Sequence, residues 1–129
     1  MKKLETNSVE GLLEIVKKYN GKRIFVLFTG DKNSETGHSW CPDCVLANPV
    51  IEKMIEKFPK NAIFITVFVG NREHDCRYKD LDCVFRKHPQ ITLTGIPTLM
   101  EFGTMKRLGP IECLSEDLIE LLINTLSDT

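Results

Sequence analysis

Apolar residues along the chain fall into helical stripes and short continuous runs, and the two alternate. Val9, Leu12, Leu13 and Val16 stand at i, i+3, i+4 and i+7, one stripe at the helical period. The stripe predicts a helix over 8–20, with Asn7 and Glu10 as a capping pair and Asn20-Gly21 as its stop. Ile24–Thr29 is a continuous apolar run, the pattern of a strand buried on both faces. Gly30–Ser39 is polar and predicts a loop. Pro42 opens a second helix, whose stripe is Ala47, Val50, Ile51, Met54, Ile55 and Phe58. Pro49 lies within it, and its missing N–H predicts a kink.

Lys60-Asn61 marks a turn, and Ile63–Val69, β-branched and aromatic, predicts a second buried strand. Residues 70–77 are polar and irregular. Tyr78–His88 reads as a helix with Leu81, Val84, Phe85 and His88 on one side. Pro97 precedes a third strand, Thr98–Phe102, and Gly103-Thr104 turns into a fourth, Met105–Leu108. Ser115 caps a last helix that turns Leu118, Ile119, Leu122, Ile123 and Leu126 inward. The order α-β-α-β-α-β-β-α implies a βαβ unit with parallel strands, then an antiparallel hairpin. The expected fold class is α/β, a mixed central sheet of about four or five strands with helices on both faces. A chain of 129 residues suits a single domain spanning 1–129.

Composition narrows the function classes. Hydrophobic residues are 42% and charged residues 27%, which argues against a disordered chain. Net charge is −1, so nothing in the balance points to nucleic acid or an anionic membrane surface. The apolar runs are far shorter than a bilayer span. The start, Met1-Lys2-Lys3-Leu4-Glu5, has no apolar stretch behind it and does not read as a signal peptide, so a cytoplasmic location is expected. Five cysteines are too few for a disulfide scaffold. In a reducing compartment the close pair Cys41-Pro42-Asp43-Cys44 reads as catalytic or metal-binding.

The chemistry of that pair is disulfide exchange. One thiolate attacks a disulfide, and a second thiol resolves the mixed disulfide. Residues i and i+3 share a helix face, within reach of an S–S bond. Cys41 stands where the helix starts, so unpaired N–H groups and the helix dipole favour its thiolate. It is the expected nucleophile, and Cys44, inside the first turn, the expected resolving thiol. Pro42 suits the first helical position. Asp43 suits the helix N-terminus but opposes a neighbouring thiolate, an effect that Lys32 or His38 could offset. A helix start carrying two structural cysteines is the plain alternative. Pro97 is the second signal. A cis bond in Ile96-Pro97-Thr98 would set the backbone of residue 96 beside the dithiol, ready to pair with an extended substrate. An ordinary trans proline at a strand start is the alternative there.

Trp40-Cys41-Pro42-Asp43-Cys44, Pro49 and Ile96-Pro97-Thr98 resemble the thioredoxin family. Within it the chain is similar to the small thioredoxin-related proteins with a Trp-Cys-Pro-Asp-Cys motif. Phe28-Thr29-Gly30, Tyr78-Lys79-Asp80, Phe85-Arg86-Lys87, Pro97-Thr98-Leu99 and Glu112-Cys113-Leu114 extend the likeness over roughly residues 24 to 126. The resemblance implies a thioredoxin fold and a cytosolic protein-disulfide reductase with a redox-active Cys41–Cys44 disulfide and no bound cofactor. It implies electrons from NADPH through thioredoxin reductase. Its substrates would be selected proteins and small disulfides such as cystine, and an association with dynein light chain is known in the family. Monomer is the default state. Trp40, Ile96, Pro97 and Thr98 would form the substrate surface, with Pro42 and Asp43 tuning the redox centre. Thioredoxin's buried Asp on the first central strand has no counterpart here, since Phe25-Val26-Leu27 is apolar, so another acceptor or water must serve Cys44. The loop over 30–39 is longer than thioredoxin's and, with 70–77, would rim the dithiol and exclude bulky partners.

Other groups carry weaker expectations. Cys76 and Cys83 could form a regulatory disulfide, and Cys113 should pack near the last helix. His74 and His88 read as surface or half-buried residues without a partner at ligand spacing. A zinc site would need a second close cysteine pair, which is lacking. A non-enzymatic adaptor on the same fold is the competing reading, though an adaptor has no need of two thiols at helix spacing.

Overall fold

The computed structural model of the chain describes residues 1–32, 35–70 and 83–125. Strand β1 is Lys2–Thr6, helix α1 Val9–Lys18, β2 Ile24–Thr29, and α2 Pro42–Met54, continued by a 3-10 turn at Ile55–Lys57. Then come β3 Ile63–Phe68, α3 Val84–Lys87, β4 Thr98–Glu101, β5 Arg107–Leu108, a 3-10 turn at Glu112–Leu114, and α4 Glu116–Asn124. The strands form a five-stranded sheet in the order β1-β3-β2-β4-β5. Both β1 and β2 run parallel to β3, β4 runs antiparallel to β2, and β5 antiparallel to β4.

The pleat of the central strands divides the apolar residues between two layers. Ile24, Val26 and Phe28 face a core with Val9 and Leu12 of α1, Phe85 of α3, and Ile65 and Val67. Phe25 and Leu27 face a second core with Ala47, Ile51 and Met54 of α2, Ile119, Leu122 and Ile123 of α4, and Phe64 and Leu99. Phe58 meets Phe25 and Phe64 edge-on, with ring centroids 4.9 and 5.4 Å apart. Every residue of β2 is buried, which is why its sequence is a continuous run and not an alternation.

The structure departs from the sequence reading at several places. Strand β1 was not expected, because Lys2–Thr6 is mostly charged or polar and only Leu4 packs against the core. Ser8, not Asn7, caps α1: its Oγ accepts the Gly11 N–H at 3.0 Å. In the hairpin, Met105 is 93% exposed and stays in the turn, so β5 begins at Arg107. Thr104 closes that turn, donating to Glu101 O at 2.8 Å and accepting the Lys106 N–H at 3.1 Å. Of the helix expected over 78–88, the described residues show α3 at Val84–Lys87 with His88 as its C-cap, and Tyr78 to Asp82 lie outside the described residues. So do His74, Cys76 and Leu126. Pro49 lies inside α2. The cap of α4 is the expected one, with Ser115 Oγ accepting the Leu118 N–H at 3.2 Å.

Candidate redox site

The loop from β2 to α2 is tied at its neck to the end of β3. Trp40 N–H donates to Asp31 O at 3.2 Å, and Lys32 bridges Ser39. Asp31 N–H donates to Gly70 O at 3.1 Å, and Asp31 Oδ1 accepts the Gly70 N–H at 3.0 Å. The Trp40 indole N–H also donates to Gly70 O, at 2.8 Å. Gly30 permits this closure, since a Cβ there would lie 2.8 Å from Ser39 Oγ and 2.9 Å from Trp40 Nε1. Ser39 Oγ in turn accepts the Cys41 N–H at 3.2 Å. The sequence of 30–39 reads only as a polar loop and discloses none of these contacts. Asp-Lys followed by Ser-Trp offered no periodicity to read.

This neck sets Cys41 at the N-cap of α2, with extended backbone and Pro42 at the first helical position. Cys41 Sγ accepts the Cys44 N–H at 3.4 Å. Both sulfurs are buried: Cys41 is 4% exposed and Cys44 has no exposure. The Cys44 thiol proton, held toward Cys41, brings the Cys41 pKa down to about 7. Burial opposes this, the backbone N–H groups of Cys44 and Asp43 add to it, and the Asp43 charge opposes it in part. Cys41 is thereby brought to where its thiolate is accessible near neutral pH. Cys44 moves the other way, far above the ordinary thiol range, first because its proton is held by Cys41 and then because it is buried. The Thr29 hydroxyl and the Gly30 N–H pull it back in part. Lys32 and His38 are not among the groups that set Cys41.

The partner loop meets the dithiol from the other side. The Ile96–Pro97 peptide bond is cis. Cys41 Sγ lies 3.9 Å from Ile96 O, with the thiol as donor. Ile96 is buried, and Thr98 Oγ1 donates to Gly95 O at 2.7 Å. Pro42 and Asp43 are exposed, beside the dithiol. Trp40 is half-buried: its ring packs against the core around Val26 and Phe28, and its N–H is committed to Gly70. So the structure brings Cys41, Cys44, Ile96 and Pro97 together, while the Trp40 ring stays only partly exposed.

The remaining candidates lie apart. Cys113 is fully buried near α4, and burial pushes its pKa up to about 12. Cys83 is disulfide-bonded; Cys76, the partner considered for it, lies outside the described residues. His88 ends α3 and its Nδ1 accepts the Gln90 N–H at 3.2 Å. Among the described residues no group of three or more His, Cys, Asp or Glu could hold a metal ion. No described helix is long and apolar enough to cross a membrane.

A family model described as "Thioredoxin domain-containing protein 17-like, thioredoxin domain" matches residues 4–125. The chain is 40% identical to thioredoxin domain-containing protein 17 of Danio rerio, over 95% of this chain and 97% of the relative. It is 39% identical to the Homo sapiens protein of that name, over 96% and 98%. It is 33% identical to the thioredoxin-like protein Clot of Arabidopsis thaliana, over 98% and 96%. The crystal structure of reduced Schistosoma mansoni thioredoxin pre-protein superposes with a TM-score of 0.61 at 19% identity, over 95% of this chain and 96% of that one, which shows the shared fold. With the dithiol at a helix start and the cis-proline loop facing it on a five-stranded mixed sheet, these matches make the chain a member of the thioredoxin domain-containing protein 17-like family, with a thioredoxin fold.

Proposed function

We propose that the chain is a thiol–disulfide oxidoreductase acting as a protein-disulfide reductase. The observation that carries this is the split between the two thiols. Cys41 is poised near neutral pH at a helix N-terminus, and Cys44 keeps its proton beside it. Cys41 Sγ attacks one sulfur of a substrate disulfide, the other sulfur leaves as a thiolate, and a mixed disulfide forms. Cys44 Sγ then attacks Cys41 Sγ. A Cys41–Cys44 disulfide forms, and the second substrate sulfur leaves reduced. Two electrons have passed from the dithiol to the substrate. An extended substrate would run along the Ile96-Pro97-Thr98 backbone, where Ile96 O already faces Cys41.

In this reading thioredoxin reductase returns the dithiol to its reduced state with electrons from NADPH, and the chain binds no cofactor. The substrates are selected protein disulfides and small ones such as cystine, met by a monomer in the cytoplasm. The separated proton affinities of Cys41 and Cys44 have no use in a non-enzymatic adaptor, such as one for dynein light chain.

The test is a coupled assay with NADPH, a thioredoxin reductase, this protein and cystine. NADPH oxidation should depend on the protein and vanish in Cys41→Ser. In Cys44→Ser it should stall with one substrate half covalently attached, visible by intact mass. A wild type that takes no electrons from the reductase while its dithiol oxidises freely would reject this electron source.

A further inference from the structure

Resolution requires Cys44 to lose a proton from a place that bulk water does not reach. Its side chain has no exposure, and Cys41 with the Ile96 carbonyl stands between it and the substrate face. A bound substrate covers that face further. A way out for the proton is open behind the dithiol, in the layer between β2 and α2.

A cavity of about 300 Å³ lies there. Its inner wall includes Leu27 and Thr29 of β2 and Asn48 of α2. Leu27 and Thr29 are two apart on one strand and share a face, and Asn48 is one helical turn beyond Cys44. Thr29 is 2% exposed. Asn48 Oδ1 is buried without a protein hydrogen-bond partner, and Thr29 Oγ1, also buried, makes no well-formed hydrogen bond to the protein. Buried polar atoms of this kind are rare and are satisfied by water where the space is polar and roomy enough, as it is here. The Thr29 hydroxyl also favours the Cys44 thiolate, though no well-formed hydrogen bond joins the two, and the same residue lines the cavity. The outer rim carries Lys3, Lys32 and Glu52, with Lys3 Nζ 3.2 Å from Glu52 Oε1, and there the cavity meets solvent.

We propose that Thr29 and Asn48 hold water in this cavity and that the Thr29 hydroxyl passes the Cys44 proton to it during resolution. This rests on the dithiol reading above. As Cys44 Sγ bonds to Cys41 Sγ, the bond from Cys41 to the substrate sulfur breaks and that sulfur takes the electron pair. The Cys44 proton moves to Thr29 Oγ1, whose own proton moves to the cavity water held by Asn48 Oδ1. The proton reaches solvent at the rim, and the leaving thiolate takes one up from solvent, so no net proton is gained or lost. Thr29 carries the proton and Asn48 positions the water, both placed where an apolar Leu27 supplies no carboxylate.

The test separates attack from resolution. Reduced protein is mixed with the disulfide of thionitrobenzoate in a stopped-flow instrument, and release is followed by its absorbance. The first equivalent reports attack by Cys41, and the second reports resolution by Cys44. Thr29→Val should slow the second phase about tenfold and leave the first within twofold. Asn48→Ala should slow the second phase less, and Thr29→Ser should restore it. Equal slowing of both phases, or a second phase unchanged in both Thr29→Val and Asn48→Ala, overturns the relay. A wild type that releases no second equivalent overturns the dithiol reading and the relay with it. Thermal melting identifies a variant that has not folded. Asn48→Ala, at a half-buried helix position, carries the test if Thr29→Val is such a variant.

Discussion

At the scale of the residue, the two cysteines have similar chemistry and opposite environments. Cys41 has its pKa lowered to about 7 from an ordinary value of 9.0, chiefly by the Cys44 thiol and then by backbone N–H groups at the helix start. Cys44, and Cys113 deeper in the core, have theirs raised, Cys44 chiefly by Cys41 and Cys113 by burial. The consequence for stability follows from which state binds more protons. Below pH 7 Cys41 is protonated whether folded or not, and contributes nothing. Between about 7 and 9 it ionises in the native state first, so the reduced protein gains stability as pH rises. Above about 9 the unfolded chain ionises Cys44 and Cys113 while the native state holds their protons, so stability falls again. Urea midpoints of the reduced protein, measured from pH 6 to 10, should trace a rise and then a fall. Cys41→Ser should lose the rise and keep a smaller fall, from the burial of Cys44 and Cys113. A rise that persists in Cys41→Ser would assign it to another group.

At the scale of the element, the hairpin depends on charge as well as packing. Glu101 ends β4 and is 6% exposed. Arg23 meets both its oxygens, at 2.9 and 3.0 Å, and Lys106 Nζ lies 2.7 Å from Oε1. Burial opposes its ionisation, yet the two cations outweigh burial and hold the carboxyl below its usual range. Glu101→Gln leaves both cations facing a neutral amide. It should cost about 2 kcal/mol, less than a fully buried pair because Arg23 and Lys106 keep part of their water. A denaturant midpoint unchanged by Glu101→Gln at neutral pH would show the triad to be idle. Glu101 also marks what a sequence can and cannot disclose. Central elements such as β2 and α2 were legible because burial on one or two faces writes itself into apolar period. The dithiol was legible because its chemistry needs two cysteines at helix spacing. Strand β1 was not, since its single inward Leu4 is too little pattern. Nor were Asp31, Gly70, Thr29 and Asn48, whose roles come from contacts between distant segments.

At the scale of the molecule, β1 explains how the sheet ends. Its register sets Lys2 to Thr6 beside Ile63 to Val67, so it covers the open edge of β3. The covering strand carries Lys2, Lys3 and Glu5, all exposed. Charge on an edge strand discourages pairing with another chain. The strand it hides is Ile-Phe-Ile-Thr-Val-Phe, apolar and without a charge, the kind of segment that pairs readily when its edge is free. The net stability that β1 adds is small, on the order of 1–2 kcal/mol, because ordering each residue offsets most of its hydrogen bond. Its larger effect is on association. A chain lacking residues 1–6 should fold, keep the dithiol, and associate as its concentration rises. Size exclusion with light scattering over a concentration series would detect this. A lysine at position 66 of the shortened chain tells pairing at the freed edge from any other cause of association. Thr66→Lys, on a half-buried site of the freed strand, should suppress the association if the edge causes it. Should the shortened chain stay the same size at every concentration, the exposed charges of β1 have no protective role, and what remains to the strand is the wall that Lys3 and Glu5 give the cavity beside Thr29 and Asn48.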